Sequence, residues 1–169
     1  GYHGLLAQAA DFIVHRYDAH VVFVPMERAD LREAHQVIAA MSAPQCAGVL
    51  RGAYSPRQVL GLMRHFQFAL GMRLHFLIFA AISGVPLMAL PYATKVEDFL
   101  DSLGVPRRVG VHEDGAGSML AALDRLWDNR EDHCRQVRDR VSRLQEQARR
   151  TVPLMVETLN LRSAAPVDS

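Results

Sequence analysis

Arg73 and His75 stand two residues apart, where a short apolar run, Phe68-Ala69-Leu70, gives way through Gly71 to a stretch over residues 74–81 that is apolar on every side except His75. The pattern predicts a short buried strand, a glycine turn and a buried helix. Charge at the mouth of such a helix calls for a reason. Helix amino termini present free N–H groups and the positive end of a dipole, so they suit anions. Arg73 and His75 at this junction point to a phosphate or a carboxylate. The same residue types allow a second arrangement, with Arg73 paired to a carboxylate such as Glu27 and His75 bonded to a backbone carbonyl.

The elements that must position these residues can be read in order. Leu5, Leu6, Ala9, Phe12 and Ile13 recur at helical spacing. Residues 20–25 form a β-branched run ended by Pro25, which predicts a buried strand. Asp30-Leu31-Arg32-Glu33 has the form of a capping box, with Asp30 as N-cap of a helix reaching about Met41. Residues 47–50 are the next strand. Ser55-Pro56-Arg57-Gln58 is a second capping box, with proline at the first helical position, opening a helix that ends near His65. The helix after Arg73 stops at Ser83-Gly84, and residues 86–90 form a fourth buried strand. Thr94-Lys95-Val96-Glu97 is a third capping box, which sets Lys95 in the first turn of a helix ending near Gly104. Residues 107–111 read as a short edge strand. Gly115-Ala116-Gly117 precedes an amphipathic helix with Met119, Leu120, Leu123, Leu126 and Trp127 on one side. From about Asn129 arginines mix with acids, and Val137, Val141 and Leu144 leave a narrow apolar stripe. That predicts a long, partly exposed helix whose charge run is a solvated face, or one that meets a membrane surface or another domain.

Strands alternating with helices predict an α/β fold, a mostly parallel sheet covered on both faces. Ligands of such sheets bind beyond the carboxyl ends of the strands. The rule selects the loops 25–30, 51–55, 71–75 and 91–95, which hold Glu27, Arg28, Arg51, Tyr54, Arg73, His75, Tyr92 and Lys95. The cationic bias of that set strengthens the anion reading. The chain opens on a helix where a βαβ unit opens on a strand, so a strand before Gly1 is expected, and Gly1 in place of a methionine points to a piece of something longer.

With 169 residues, half of them apolar, the chain suits one domain with a full core. The net charge of +1 gives no support for a nucleic-acid partner. Cys46 and Cys134 have no metal-type spacing and read as free thiols of a reducing cytoplasm. No signal peptide is visible, and the apolar run over residues 74–82 is too short to cross a bilayer. His112-Glu113-Asp114 looks like a ligand triplet, but adjacent side chains rarely face one ion, so no metal is expected. Gly115-Ala116-Gly117 lacks the third glycine and the strand of a dinucleotide fingerprint.

Gly71-Met72-Arg73-Leu74-His75, Ile78-Phe79-Ala80-Ala81, Gly84-Val85-Pro86 and Tyr92 through Lys95-Val96 together resemble the polysaccharide pyruvyl transferase family. The specific part spans residues 71–96, and a looser strand–helix order extends over most of the chain. The resemblance implies a Rossmann-like three-layer α/β/α fold with a mostly parallel sheet, similar to the C-terminal half of a B-type glycosyltransferase. Residues 1–128 would be the donor-binding domain, 129–160 a charged helix on or beyond it, and 161–169 a flexible tail. It further implies transfer of pyruvyl from phosphoenolpyruvate, as co-substrate and with no cofactor, onto a sugar hydroxyl pair to form a ketal.

Arg73, Leu74, His75 and Lys95 would bind phosphoenolpyruvate by this resemblance, with His75 as general acid or phosphate ligand. Glu27, Arg51, Tyr54 and Tyr92 would line the cleft. A further family arginine has no match in this sequence, and the acceptor half is missing, so activity of this chain alone is in doubt. The expected partners are phosphoenolpyruvate, a carbohydrate or lipid-linked saccharide acceptor and an N-terminal half-domain, with no nucleic acid. The expected location is cytoplasmic, with peripheral association at the inner face of the membrane. A nucleotide-sugar glycosyltransferase half and a non-catalytic carbohydrate-related domain are the competing readings.

Overall fold

The computed structural model of the protein describes residues 2–90, 94–105 and 115–163. The element order is α1 (Tyr2–Tyr17), β1 (Val21–Phe23), α2 (Arg28–Ala39), β2 (Ala47–Val49), α3 (Pro56–Met63), β3 (Ala69–Gly71), α4 (Leu74–Ile82), β4 (Leu87–Ala89), α5 (Thr94–Leu103), α6 (Gly115–Asp128) and α7 (Arg130–Ser163). β1, β2 and β4 fall within the runs expected of them, whereas β3 starts one residue later than expected and takes in Gly71, which was expected in a turn. The expected edge strand over 107–111, the triplet 112–114 and Tyr92 lie outside the described residues.

Both strand pairs are parallel. Val21 faces Ala47 and Phe23 faces Val49 in the first, while Ala69 faces Leu87 and Gly71 faces Ala89 in the second. Each pair is joined through a helix, giving the units β1–α2–β2 and β3–α4–β4. The expectation of one sheet needs correction: among the described residues the strands form two separate two-stranded sheets. Strands of three residues offer few ladder bonds. What joins the units instead is side-chain packing on α1. Ala7, Ala10 and Val14 pack with Val37, Met41 and the β1 side chains, whereas Ala9, Leu5 and Phe12 pack with Met88, Leu90 and Leu70. Small buried residues at Ala7, Ala9 and Ala10 let that helix approach both units closely.

Alternation along β4 decides how the second unit is covered. Leu87 and Ala89 point into a core built with α3, α4, α5 and α7, while Met88 and Leu90 point into one built with α1 and α6. Helices therefore cover both faces of β3–β4. The first unit is different: Val21, Phe23 and Ala47 pack inward, but Val22 is 40 % exposed and Gly48 is exposed.

Local chemistry explains the helix boundaries. Ser55 caps α3 as expected: its hydroxyl accepts from the Gln58 N–H at 3.3 Å, and the Gln58 side-chain carbonyl accepts from the Ser55 N–H at 2.9 Å. Asp30 is a correction. It is the third residue of α2, not its N-cap; Glu27 is the N-cap, and the Asp30 carboxylate accepts from the N–H groups of Met26 and Glu27, each at 3.1 Å. An acid three residues after another acid fits either frame, and the earlier start satisfies the free N–H groups at the end of the β1 loop. Glu33 instead meets His3 of α1 at 2.6 Å. α4 stops where expected, with Ser83 as C-cap and Gly84 at φ +69°. Gly71 is the last strand residue and serves close approach, not a turn: a Cβ there would lie 2.5 Å from the Phe76 ring. α5 begins at Thr94 and ends before Gly104, while α7 is the long charged helix, seated through Val137, Val141 and Leu144. No helix among the described residues is long and apolar enough to cross a membrane.

Candidate functional site

The selected loops after β1, β2 and β3 leave the carboxyl ends of their strands, and of the loop after β4 only residues 94 and 95 are described. β1 leads to Glu27, β2 to Arg51 and Tyr54, β3 to Arg73 and His75, and β4 to Lys95.

Arg73 is the N-cap of α4, in extended backbone, and its side chain makes no capping bond to that helix. Its guanidinium reaches across to the other βαβ unit. Nη1 donates to Glu27 Oε1 at 3.2 Å, and Nη2 donates to Asp30 Oδ1 at 2.6 Å and lies 3.1 Å from Glu27 Oε2. The arrangement in which Arg73 pairs with Glu27 is thus the one observed, with Asp30 as a second and closer acid. Asp30 therefore serves two purposes, since its other oxygen holds the N–H groups of the β1 loop. Asp30 is 22 % exposed and Glu27 62 %, so the Asp30 contact is the more sheltered. The sequence signal for Asp30 was its place in the selected loop, but the capping-box frame assigned its carboxylate elsewhere.

Leu74 opens α4 and packs against the core beneath it. His75 follows as an exposed residue in the first turn, and Lys95 is exposed in the first turn of α5. Among the described residues neither the His75 imidazole nor the Lys95 ammonium has a hydrogen-bond or ion-pair partner. Arg51 and Tyr54 are brought together within their own loop: the Tyr54 hydroxyl donates to the Arg51 carbonyl at 3.3 Å, and its ring lies against Gly52, which adopts φ +143°. Tyr92 lies outside the described residues. What the structure brings together directly is Arg73, Glu27 and Asp30, and that contact ties the carboxyl ends of β1 and β3 to one rim. An arginine at the N-cap of α4 and an exposed histidine in its first turn are residue types suited to a small anion. Its two carboxylates also mean that an anion there must compete with, or share, protein acids.

Cys46 and Cys134 are both free thiols. No curated protein and no solved structure gives a significant match to the chain. The family model described as polysaccharide pyruvyl transferase matches residues 1–94. The matched span runs from α1 through β4, takes in both βαβ units and the Arg73 junction, and ends one residue before Lys95. Because that span is more than half of the sequence and contains the whole rim except Lys95, the chain belongs to the polysaccharide pyruvyl transferase family.

Proposed function

We propose that this chain is the donor-binding half of a ketal pyruvyl transferase that uses phosphoenolpyruvate. The two βαβ units would belong to a Rossmann-like, three-layer domain over residues 1–128, the C-terminal half of a B-type architecture, with the charged helix of residues 129–160 attached. An N-terminal half-domain would present the acceptor, a carbohydrate or lipid-linked saccharide, at the inner face of the membrane. What supports this reading is the family match over residues 1–94, which takes in Arg73 at the amino end of α4 and the loop of Glu27 and Asp30 that it reaches.

Phosphoenolpyruvate carries a phosphate and a carboxylate, and an arginine fork can hold either in two parallel hydrogen bonds. Arg73 is the clamp in this reading. The exposed Glu27 arm is the one an incoming dianion displaces, while Asp30 keeps the guanidinium aimed. Lys95 neutralises phosphate charge from the first turn of α5. His75 protonates the methylene carbon of the enol phosphate, leaving a cation at the ketal carbon that a sugar hydroxyl attacks, and the proton of that hydroxyl returns to His75. The bond from that carbon to the phosphate oxygen breaks, a second hydroxyl closes the ketal, and its proton leaves on the departing inorganic phosphate. General acid assistance of this kind contributes about a hundred- to ten-thousandfold in rate.

Titration with phosphoenolpyruvate, and separately with UDP and CMP, tests the reading. Phosphoenolpyruvate at a hundred times its Kd should raise apparent stability by about 2.7 kcal/mol. Arg73→Lys keeps a charge beside Asp30 but loses the fork, and should weaken that binding about tenfold or more. Stabilisation by a nucleotide and not by phosphoenolpyruvate, or undiminished affinity in Arg73→Lys, overturns the assignment.

A further inference from the structure

At the opposite edge of the β3–β4 unit, before the amino ends of the strands, lies an open pocket of about 550 Å³. Its walls are the turn after α3, the Ser83–Gly84 stop of α4 and the first turns of α7. That volume is within the range of small-molecule sites. Arg64, Arg130, Arg135 and Arg138 all line it, against Glu131 as the one lining acid.

The partners of these arginines are informative. Arg135 pairs with Asp132. Arg130 donates to the Trp127 carbonyl at 2.9 Å and lies 4.9 Å from the centroid of the indole, so it is positioned without a carboxylate. The Arg138 side chain lies on Gly84, where a Cβ would come within 2.4 Å of its Nε. Glycine is required there twice, for φ +69° and for that contact. Among the described residues Arg64, Arg130 and Arg138 have no carboxylate partner. The Ser83 hydroxyl oxygen, in the same wall, is covered and has no hydrogen-bond partner among them either. Cys134 contributes no charge, because burial raises its thiol.

Like charges gathered around one cavity repel, and a multiply charged anion relieves that repulsion while filling the guanidinium forks. We propose that this pocket is a second anion site, separate from the Arg73 rim, which takes a ligand bearing one or two phosphoryl groups. The ligand is a free phosphorylated molecule or the headgroup of an anionic lipid, recognised through the same phosphoryl oxygens. The ends of the sheet would then have different tasks, one holding a small acidic donor and the other anchoring a phosphorylated partner.

The test uses the 169-residue chain, with sodium pyrophosphate in calorimetric titration and phosphatidylcholine vesicles containing phosphatidylglycerol in sedimentation. Saturable pyrophosphate binding is expected at this pocket with the Arg73 rim held occupied by excess phosphoenolpyruvate. It should be weakened at least tenfold in Arg64→Gln/Arg138→Gln, which retains part of the stem over Gly84, and kept in His75→Ala/Lys95→Ala at the other rim. Vesicle binding that depends on Arg64 and Arg138 would identify the headgroup as the source; pyrophosphate binding without it would identify a soluble ligand. The proposal is overturned if the parent binds neither probe, or if Arg64→Gln/Arg138→Gln, shown folded by its melting curve, binds within twofold of the parent. Loss of pyrophosphate binding in His75→Ala/Lys95→Ala would also overturn it, by moving the anion to the first rim.

Discussion

The two βαβ units have the same strand–helix–strand order and the same three-residue parallel pairing, yet they are buried differently. Every residue of β4 is buried, and its side chains alternate into two separate cores. β1 and β2 each show a central residue exposed between half-buried neighbours. Helices on both sides make the second unit the anchor of the molecule. The first unit has one packed face, and is held to the second by α1 and by the reach of Arg73 to Glu27 and Asp30. The difference is one of burial: the strand that leads to Arg73 belongs to the unit covered on both faces, and the strand that leads to Glu27 to the unit packed on one. Arg73 comes from the doubly covered unit, and the carboxylates it meets come from the other.

The largest expected effect separates the units by packing alone. Leu87→Ala removes a fully buried side chain between α3, α4 and α5 and should cost about 2–5 kcal/mol in denaturant unfolding. Val22→Ala, on the open side of β1, should stay within about 0.5 kcal/mol. Equal losses would mean that the units are covered alike. Next in size is Gly71→Ala, which forces the Phe76 ring to move and should cost about 1–3 kcal/mol. Combining it with Phe76→Leu should recover part of that loss, since the smaller side chain leaves room; no recovery would place the strain elsewhere.

The smallest effects concern pH. On α7, which packs against the second unit, burial lowers the affinity of His133 for its proton, partly opposed by the Leu87 backbone. The folded protein therefore binds fewer protons there than the unfolded chain. Its contribution is present above the ordinary histidine value of about 6.5 and is lost as pH falls through the lowered value. On α1, beside the first unit, burial pushes the Asp11 carboxyl upward, but the N–H groups of Ser42 and Ala43, at 2.8 and 3.1 Å, outweigh it and hold it below its ordinary range. That contribution is present above about pH 3.9 and is lost on further acidification. Melting temperatures followed from pH 8 to pH 2 should show a loss near the histidine range that His133→Gln removes. A second loss, in more acid solution, should disappear in Asp11→Asn. A single transition untouched by either substitution would refute this division.

Much of the frame was legible from residue order because it rests on local physics. Ser55 and Gln58 cap each other across three residues, Gly84 accepts a conformation other residues resist, and the apolar runs around Val22 and Met88 could only be strands of about that length. Of the loops singled out in the sequence, the structure joins Arg73 to Glu27, and no contact among the described residues brings Arg51, Tyr54, His75 or Lys95 to that pair. The site was not legible as a set of bonds. Asp30 reads equally well as a cap for its own helix or as the third residue of a helix begun earlier, and only the backbone position of Glu27 separates the two.

By itself, the sequence determined the helices, the strands and the junction at Arg73, since those follow from side chains within a few residues of one another. Tertiary structure decided which charges meet. It brought Arg73 to acids more than forty residues earlier in the chain. It also packed Arg138 onto Gly84, which turned part of an apparently solvated helix face into one wall of an arginine-lined pocket. The reason is range: hydrogen bonds and backbone preferences act between neighbours, whereas an ion pair or a pocket exists only after buried apolar surface has drawn distant elements together.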